Sequence, residues 1–183
     1  AKQDIQRPES YNYLRGVEAV NNNQLDEGLD FLNKEIEENP ENGYAFAWIA
    51  SVREYKREYG RALTAVNLSI KHLPKKDKTY KAFAYSLRAD INIGLGEKDL
   101  AIMDYTEALK YTPEDEDLYE KRAQIYYELQ KYDLSDADYR KIITLNQGSV
   151  MGYMGIGRNA NVQNKFENAI TQFNYVIKLA SDY

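Results

Sequence analysis

The sequence contains no cysteine, which excludes a disulfide framework, a thiolate zinc site and a thiol nucleophile, and leaves the redox compartment unread. It has one histidine, His72, near the end of a predicted helix, with no Asp or second His at ligand spacing. A structural or solvated role is expected for it, with no metal site. Positive charge is not in excess: 24 Lys and Arg against 29 Asp and Glu leave a formal charge of −5 and a pI near 5.1. Runs such as "EIEENPE" (35–41) and "PEDED" (113–117) are acidic. That balance argues against a nucleic-acid footprint or an anionic membrane surface. No apolar run approaches the roughly 18 residues needed to span a bilayer, and the opening "AKQDIQRPES" has no signal-peptide core. The expectation is a soluble chain, cytoplasmic or exported after processing, with the compartment unassigned. A start without Met and an end on the helical pattern "KLASDY" leave open a processed form or a piece of something longer.

What is present is a repeat. "DLAIMDYTEALKYTP" (99–113) returns 34 residues later as "DLSDADYRKIITLNQ" (133–147), with Asp, Leu, Asp and Tyr in the same places. Internal repetition decides the architecture when it is real. Stepping outward from Ala101, the column Gly28, Ala62, Ala101, Ser135, Ala169 is small throughout, at intervals of 34, 39, 34 and 34. Four residues on, Leu32, Val66, Tyr105, Tyr139 and Phe173 are apolar, and so are Ile36, Ile70, Leu109, Ile143 and Ile177 a further four on. Upstream, Phe46, Tyr85, Tyr119 and Tyr153 form an aromatic column that Asn12 breaks in the first unit. Another small column reads Gly16, Ala50, Ala89, Ala123, Gly157.

Within each unit the apolar spacing is three or four, which is helical, and it breaks once at a polar stretch such as "NNNQ" (21–24) or "GLGE" (94–97). Each unit therefore reads as a helical hairpin. Pro40, Pro74 and Pro113 separate the early units, while Gln147 and Ser181 hold that place in the last two. A small residue on one helix admits a neighbour's aromatic ring, and hairpins that cannot bury their apolar faces alone must stack.

These columns, with an aromatic at the fourth place, Gly or Ala at the eighth, a small residue at the twentieth and Pro at the thirty-second, resemble the tetratricopeptide repeat. The resemblance covers roughly residues 9 to 181, with the third and fourth units fitting best. The first unit departs from the pattern, with Asn12, Arg15, Gly28 and Glu35 at places where the family prefers an aromatic, Leu, Ala and Ala. The resemblance implies an all-α, right-handed α-solenoid of about five stacked helical hairpins. The expected divisions are an N-terminal arm at 1–8 and repeats at 9–42, 43–76, 82–115, 116–149 and 150–183, with an insertion at 77–81. That insertion is expected to give a longer, basic connection between the second and third hairpins. No additional helix follows "QFNYVIKLASDY" to cover the last apolar face.

Chemistry is harder to find. "GIGRNA" (155–160) matches a dinucleotide fingerprint formally, but Gly157 belongs to the small column inside a helix. "PEDED" lacks the ligand alternation of a calcium loop. Arg88 with Asp104, and Arg122 with Asp138, recur at one separation in adjacent units and are expected as ion pairs within hairpins. No nucleophile or acid–base constellation stands out, so the chain is expected not to be an enzyme and to use no cofactor.

If the hairpins stack as the family's do, the first helices line a concave groove. The residues placed there are Tyr13, Tyr44, Trp48, Ser51, Tyr55, Phe83, Ser86 and Asp90, followed by Glu120, Gln124, Tyr127, Arg158 and Asn161. Such a groove suits a protein or peptide partner, with Tyr44 and Phe83 as anchors removable without unfolding. The family's carboxylate clamp for chaperone C-terminal tails needs Lys, Asn and Arg where this chain has Tyr13, Val17, Trp48, Phe83 and Leu87, so that ligand is not expected. The expected role is a protein–protein interaction scaffold. The alternatives are a non-catalytic interaction arm of a larger enzyme or sensor, and a self-assembly module or homodimer formed through the C-terminal hairpin.

Overall fold

The computed structural model describes residues 4–182. Among the described residues there are ten α-helices and no strand: α1 (Tyr11–Asn21), α2 (Leu25–Glu38), α3 (Gly43–Tyr55), α4 (Tyr59–His72), α5 (Lys78–Gly94), α6 (Lys98–Tyr111), α7 (Glu116–Glu128), α8 (Tyr132–Leu145), α9 (Val150–Val162) and α10 (Phe166–Ser181). The all-α class expected from the periodicity is what is found.

The chain divides into unit 1, Ala1–Thr112, and unit 2, Pro113–Tyr183. In unit 1, α1 pairs with α2, α3 with α4 and α5 with α6, while α2 packs on α3, α4 on α5, and α3 touches both α1 and α5. In unit 2, α7 pairs with α8 and α9 with α10, and α8 packs on α9. Each hairpin turn closes identically. The residues Asn23, Arg57, Gly96, Gln130 and Asn164 all have positive φ, and they recur in the register of the repeat. The next residue's N–H bonds a carbonyl five back, as in Gln24 to Ala19 and Lys131 to Tyr126, both at 2.8 Å. This left-handed closure satisfies the carbonyls that the helix end leaves over. Glycine supplies it in the third hairpin alone, so the other four place a side chain in a conformation that disfavours one.

The small columns do what close packing requires. A Cβ on Gly16 would meet Leu32 at 2.6 Å, and one on Gly157 would meet Phe173 at 2.5 Å. In the same column Ala50, Ala89 and Ala123 have no exposed surface. The core of unit 1 gathers Leu29, Leu32, Ile49, Val52, Val66, Leu87 and Ile91. That of unit 2 gathers Ala123, Tyr139, Ile142 and Ile156. "GIGRNA" lies wholly within α9. Arg88 donates to Asp104 through Nε at 2.9 Å and Nη2 at 2.7 Å, and Arg122 to Asp138 at 2.9 and 2.6 Å. Both pairs bridge the helices of one hairpin, as their spacing implied.

The insertion at 77–81 lengthens the connection between the second and third hairpins by one residue, five against the four between the other hairpins. Only residues 73–77 separate α4 from α5, and the rest of the extra length enters α5, which has 17 residues where α3, α7 and α9 have 13. Asp77 caps the added turn by accepting from the Tyr80 N–H at 3.2 Å. At the other end of the chain, α10 leaves Phe166, Ile170 and Ile177 more than half exposed and Tyr175 49% exposed.

Candidate functional site

The added turn of α5 places an acid where the sequence pattern showed a basic stretch. Asp77 stands among Lys75, Lys76, Lys78 and Lys81 and is fully buried. Its carboxylate accepts from Arg7 Nε at 3.0 Å and Nη2 at 3.3 Å, from the Tyr44 hydroxyl at 2.9 Å and from the Tyr80 N–H. Burial pushes this carboxyl up, but the bonds from Arg7, Tyr80 and Tyr44 outweigh it and hold it below its ordinary value. Burial, then the neighbouring Asp77, push the Tyr44 hydroxyl up to about 12.

Tyr80 joins this base to an aromatic wall. Its hydroxyl accepts from Trp48 Nε1 at 3.2 Å and lies 3.4 Å from that of Tyr13. Its ring meets Tyr44 edge-on with centroids 4.8 Å apart and Phe83 at 6.1 Å, and the Arg7 guanidinium sits 4.8 Å from its centroid. Trp48 and Phe83 complete the wall with centroids 6.3 Å apart. Together Trp48, Thr79, Tyr80 and Phe83 line a recess of about 260 Å³. Rings held by hydrogen bonds at their polar ends and by edge-on contacts at their faces need little further ordering to receive an apolar side chain.

The residues expected in the groove thus separate into two kinds. Trp48 and Phe83 are partly exposed and come together. Tyr13 and Tyr44 are each 5% exposed, so they support the wall from within rather than offering a surface, and Tyr44 is not a removable anchor. Burial, then its Tyr80 contact, raises the Tyr13 hydroxyl as well. Ser51 and Ser86 are half-buried, and Tyr55 is exposed. Asp90 accepts from the Tyr105 hydroxyl, which burial and then Asp90 push up. Thr79 and Tyr80 were missed by the sequence reading. Their signal was the spacing of Tyr80 and Phe83, three residues apart in a segment read as a connection.

Unit 2 arranges its share differently. Gln124 donates to Glu128 at 3.1 Å. Arg158 lies 4.1 Å from the centroid of the Tyr127 ring and donates to the Tyr139 hydroxyl at 3.0 Å. Glu120 is half-buried and Asn161 is exposed. A residue not anticipated, Asn159, is fully buried and donates to Ser135 at 2.9 Å and Asp136 at 2.7 Å, tying α9 to α8. Gln124, Tyr127, Arg158 and Asn159 are thus each engaged with neighbours within unit 2. Among the described residues no cluster of His, Cys, Asp and Glu could hold a metal ion, and no helix is long and apolar enough to cross a membrane.

Paired helices with alternating small and aromatic columns, closed by one repeated turn, define an all-α helical-repeat protein. The tetratricopeptide repeat matches twice, at residues 84–115 and 116–148, so the chain carries tetratricopeptide repeats over α5 to α8. A small glutamine-rich tetratricopeptide repeat-containing protein of Saccharomyces cerevisiae is 32% identical over 120 residues, 64% of this chain. The chain spans about a third of that relative, 34% of its length. Among solved structures, a MamA protein superposes with a TM-score of 0.81 at 18% identity, covering 93% of this chain and 90% of that one. YrrB, described as a tetratricopeptide protein with an unusual peptide-binding site, superposes with a TM-score of 0.78 at 13% identity, covering 94% and 86%. Proteins of this class mediate protein–protein interactions and are typically non-catalytic scaffolds.

Proposed function

We propose that this chain is a non-catalytic scaffold that binds an extended peptide segment of a partner protein, with one apolar side chain of that segment seated in the Trp48–Tyr80–Phe83 recess of unit 1. The observation that carries this reading is the recess itself. It is aromatic on three sides, small enough for one side chain, and braced from behind by Tyr44, Asp77 and Arg7. A buried aromatic anchor site of this kind supplies much of the affinity in peptide recognition. Arg7, the cation over the Tyr80 ring, is bonded to Asp77, and the clamp places hold Tyr13, Val17, Trp48, Phe83 and Leu87, which supports a ligand other than a chaperone tail.

The test uses nine-residue peptides selected from a displayed random library against the intact chain. Their affinity for the Trp48→Ala, Phe83→Ala double variant should fall about tenfold or more, with the helical circular dichroism unchanged. Equal affinity would remove the recess from the account.

A second reading rests on α10, whose Phe166, Ile170 and Ile177 are each more than half exposed: a second copy of the chain covers this face. Light scattering tests it, since Ile170→Glu with Ile177→Glu should abolish any rise of mass with concentration.

A further inference from the structure

A second recess lies in unit 1 at the junction of α1, α2 and α3, and its chemistry is opposite to that of the aromatic wall. It has a volume of about 860 Å³, and Ser10, Glu35, Glu38, Asn39, Asn42 and Gly43 contribute to its lining. Glu35 is 1% exposed. It stands in a packing column that holds Ser69, Ala108 and Ile142 in later repeats, all of them fully buried. A carboxylate there must be answered.

Half of it is. Oε1 accepts from the side-chain amides of Asn39 and Asn42, both at 2.9 Å, which pins the turn between α2 and α3. Oε2 is buried without a partner, and so is the hydroxyl of Ser10, another lining residue. Ser10 occupies the N-cap position of α1 yet makes no cap hydrogen bond, so the helix does not use that hydroxyl. The turn alone does not require a charge either, since a neutral amide at position 35 would accept the same two bonds through its oxygen. Glu35 and Glu38 also sit in the last turn of α2, which carries no basic residue. Carboxylates at the negative end of a helix dipole are mutually unfavourable with it, and a cation relieves both. Arg7, the guanidinium of the lining, is held by Asp77. The other acids of the lining, Glu9 and Glu41, flank the starts of α1 and α3, whose positive ends already suit them.

We infer that this recess binds a primary ammonium or guanidinium group, with Glu35 Oε2 and the Ser10 hydroxyl as acceptors and Glu38 adding charge at its side. A Lys or Arg side chain of a bound peptide supplies that group. The source rests on the peptide reading above, whereas the cation site does not. Tyr44 borders this recess and packs edge-on against Tyr80 of the aromatic one, so one extended segment reaches both, with its basic residue toward the N-terminal arm.

The test is a titration of the isotope-labelled full chain with n-butylammonium, n-butylguanidinium and, as the uncharged control, n-butanol, at constant ionic strength and read by amide NMR. The two cations should shift the backbone amides of residues 35–43 and the side-chain amides of Asn39 and Asn42 saturably, and butanol should not. Glu35→Gln should weaken this binding by about tenfold or more. Ser10→Ala, which costs no cap bond, should weaken it about threefold. Glu27→Gln, which removes an exposed charge outside the recess, should leave it unchanged. Silent amides, an equal response to butanol, or wild-type cation binding in the Ser10→Ala variant overturns the inference, and the last outcome decides even if Glu35→Gln perturbs the turn. Trp48→Ala with Phe83→Ala should leave the cation response intact, so failure of the aromatic recess and failure of this one are told apart.

Discussion

Units 1 and 2 obey one repeat register and spend it differently. In unit 1 the first-helix tyrosines turn inward, their hydroxyls gathered around Asp77 and Tyr80, and aromatic faces are left at the wall. In unit 2 the corresponding places carry Gln124, Tyr127 and Arg158, which bond or stack on their own neighbours. Groups already paired have little to give a partner, because binding would have to break what they hold. Equal repeats are thus unequal as surfaces, and recognition should concentrate in unit 1.

The largest effect expected on this comparison is on stability. Asp138→Ala removes the carboxylate that takes two bonds from the Arg122 guanidinium, whose side chain is only 16% exposed, and should destabilise unit 2 by about 3 kcal/mol. Asp104→Ala should cost unit 1 less, about 2 kcal/mol, because Arg88 is 28% exposed and keeps a bond to Asn67. Chemical denaturation of both variants orders the two. If the unit 1 pair proved the costlier, burial would not be what sets the value of these pairs.

Next comes the wall. Phe83→Ala should weaken selected peptides about tenfold, whereas Tyr127→Ala with Gln124→Ala in unit 2 should change affinity by no more than about twofold. A larger loss from the unit 2 variant would reverse the comparison.

A pH experiment sharpens it further. The Asp77 carboxyl is held low in the folded state, so its contribution is present above the ordinary carboxylate value and is lost as the pH falls toward the folded one. Tyr44 is raised to about 12, so its contribution is present below the ordinary tyrosine value of about 10 and is lost as the pH rises from there toward the folded value. Tyr44→Phe should cost about 1.5 kcal/mol at neutral pH and flatten the alkaline loss of thermal stability. An unchanged alkaline slope would separate Tyr44 from that titration.

The smallest effect concerns the repeated turns. Gln130→Gly relieves a side chain at φ 59° and should stabilise unit 2 by about 0.5 kcal/mol after the added freedom of the unfolded chain is counted. Gly96→Ala in unit 1, at φ 81°, should destabilise by about 1 kcal/mol. Thermal melts read both.

Much of this architecture was legible because it is local or periodic. The small columns, the helix starts and the Arg88–Asp104 and Arg122–Asp138 pairs all follow from helical spacing. The aromatic network was not, because its members lie far apart in sequence: Arg7 and Asp77 are 70 residues apart, and Tyr44 and Asp77 are 33. Their meeting depends on the added turn of α5, and its composition, rich in Lys, looked like a connection. The same cause hid the burial of Tyr13 and Tyr44, since a tyrosine at a groove place turns inward only where an acceptor waits for its hydroxyl. Four of the five left-handed turn residues were equally silent, lacking the glycine that marks such positions.

Trp48 is the only tryptophan of the chain and lines the recess, so its emission is a direct report on the central claim. Titrated with a library-selected peptide, wild type should show a saturable blue shift, displaced by about tenfold in concentration in the Phe83→Ala variant and unmoved by Tyr127→Ala. A peptide that binds tightly while the Trp48 emission stays constant would place recognition elsewhere and contradict the account.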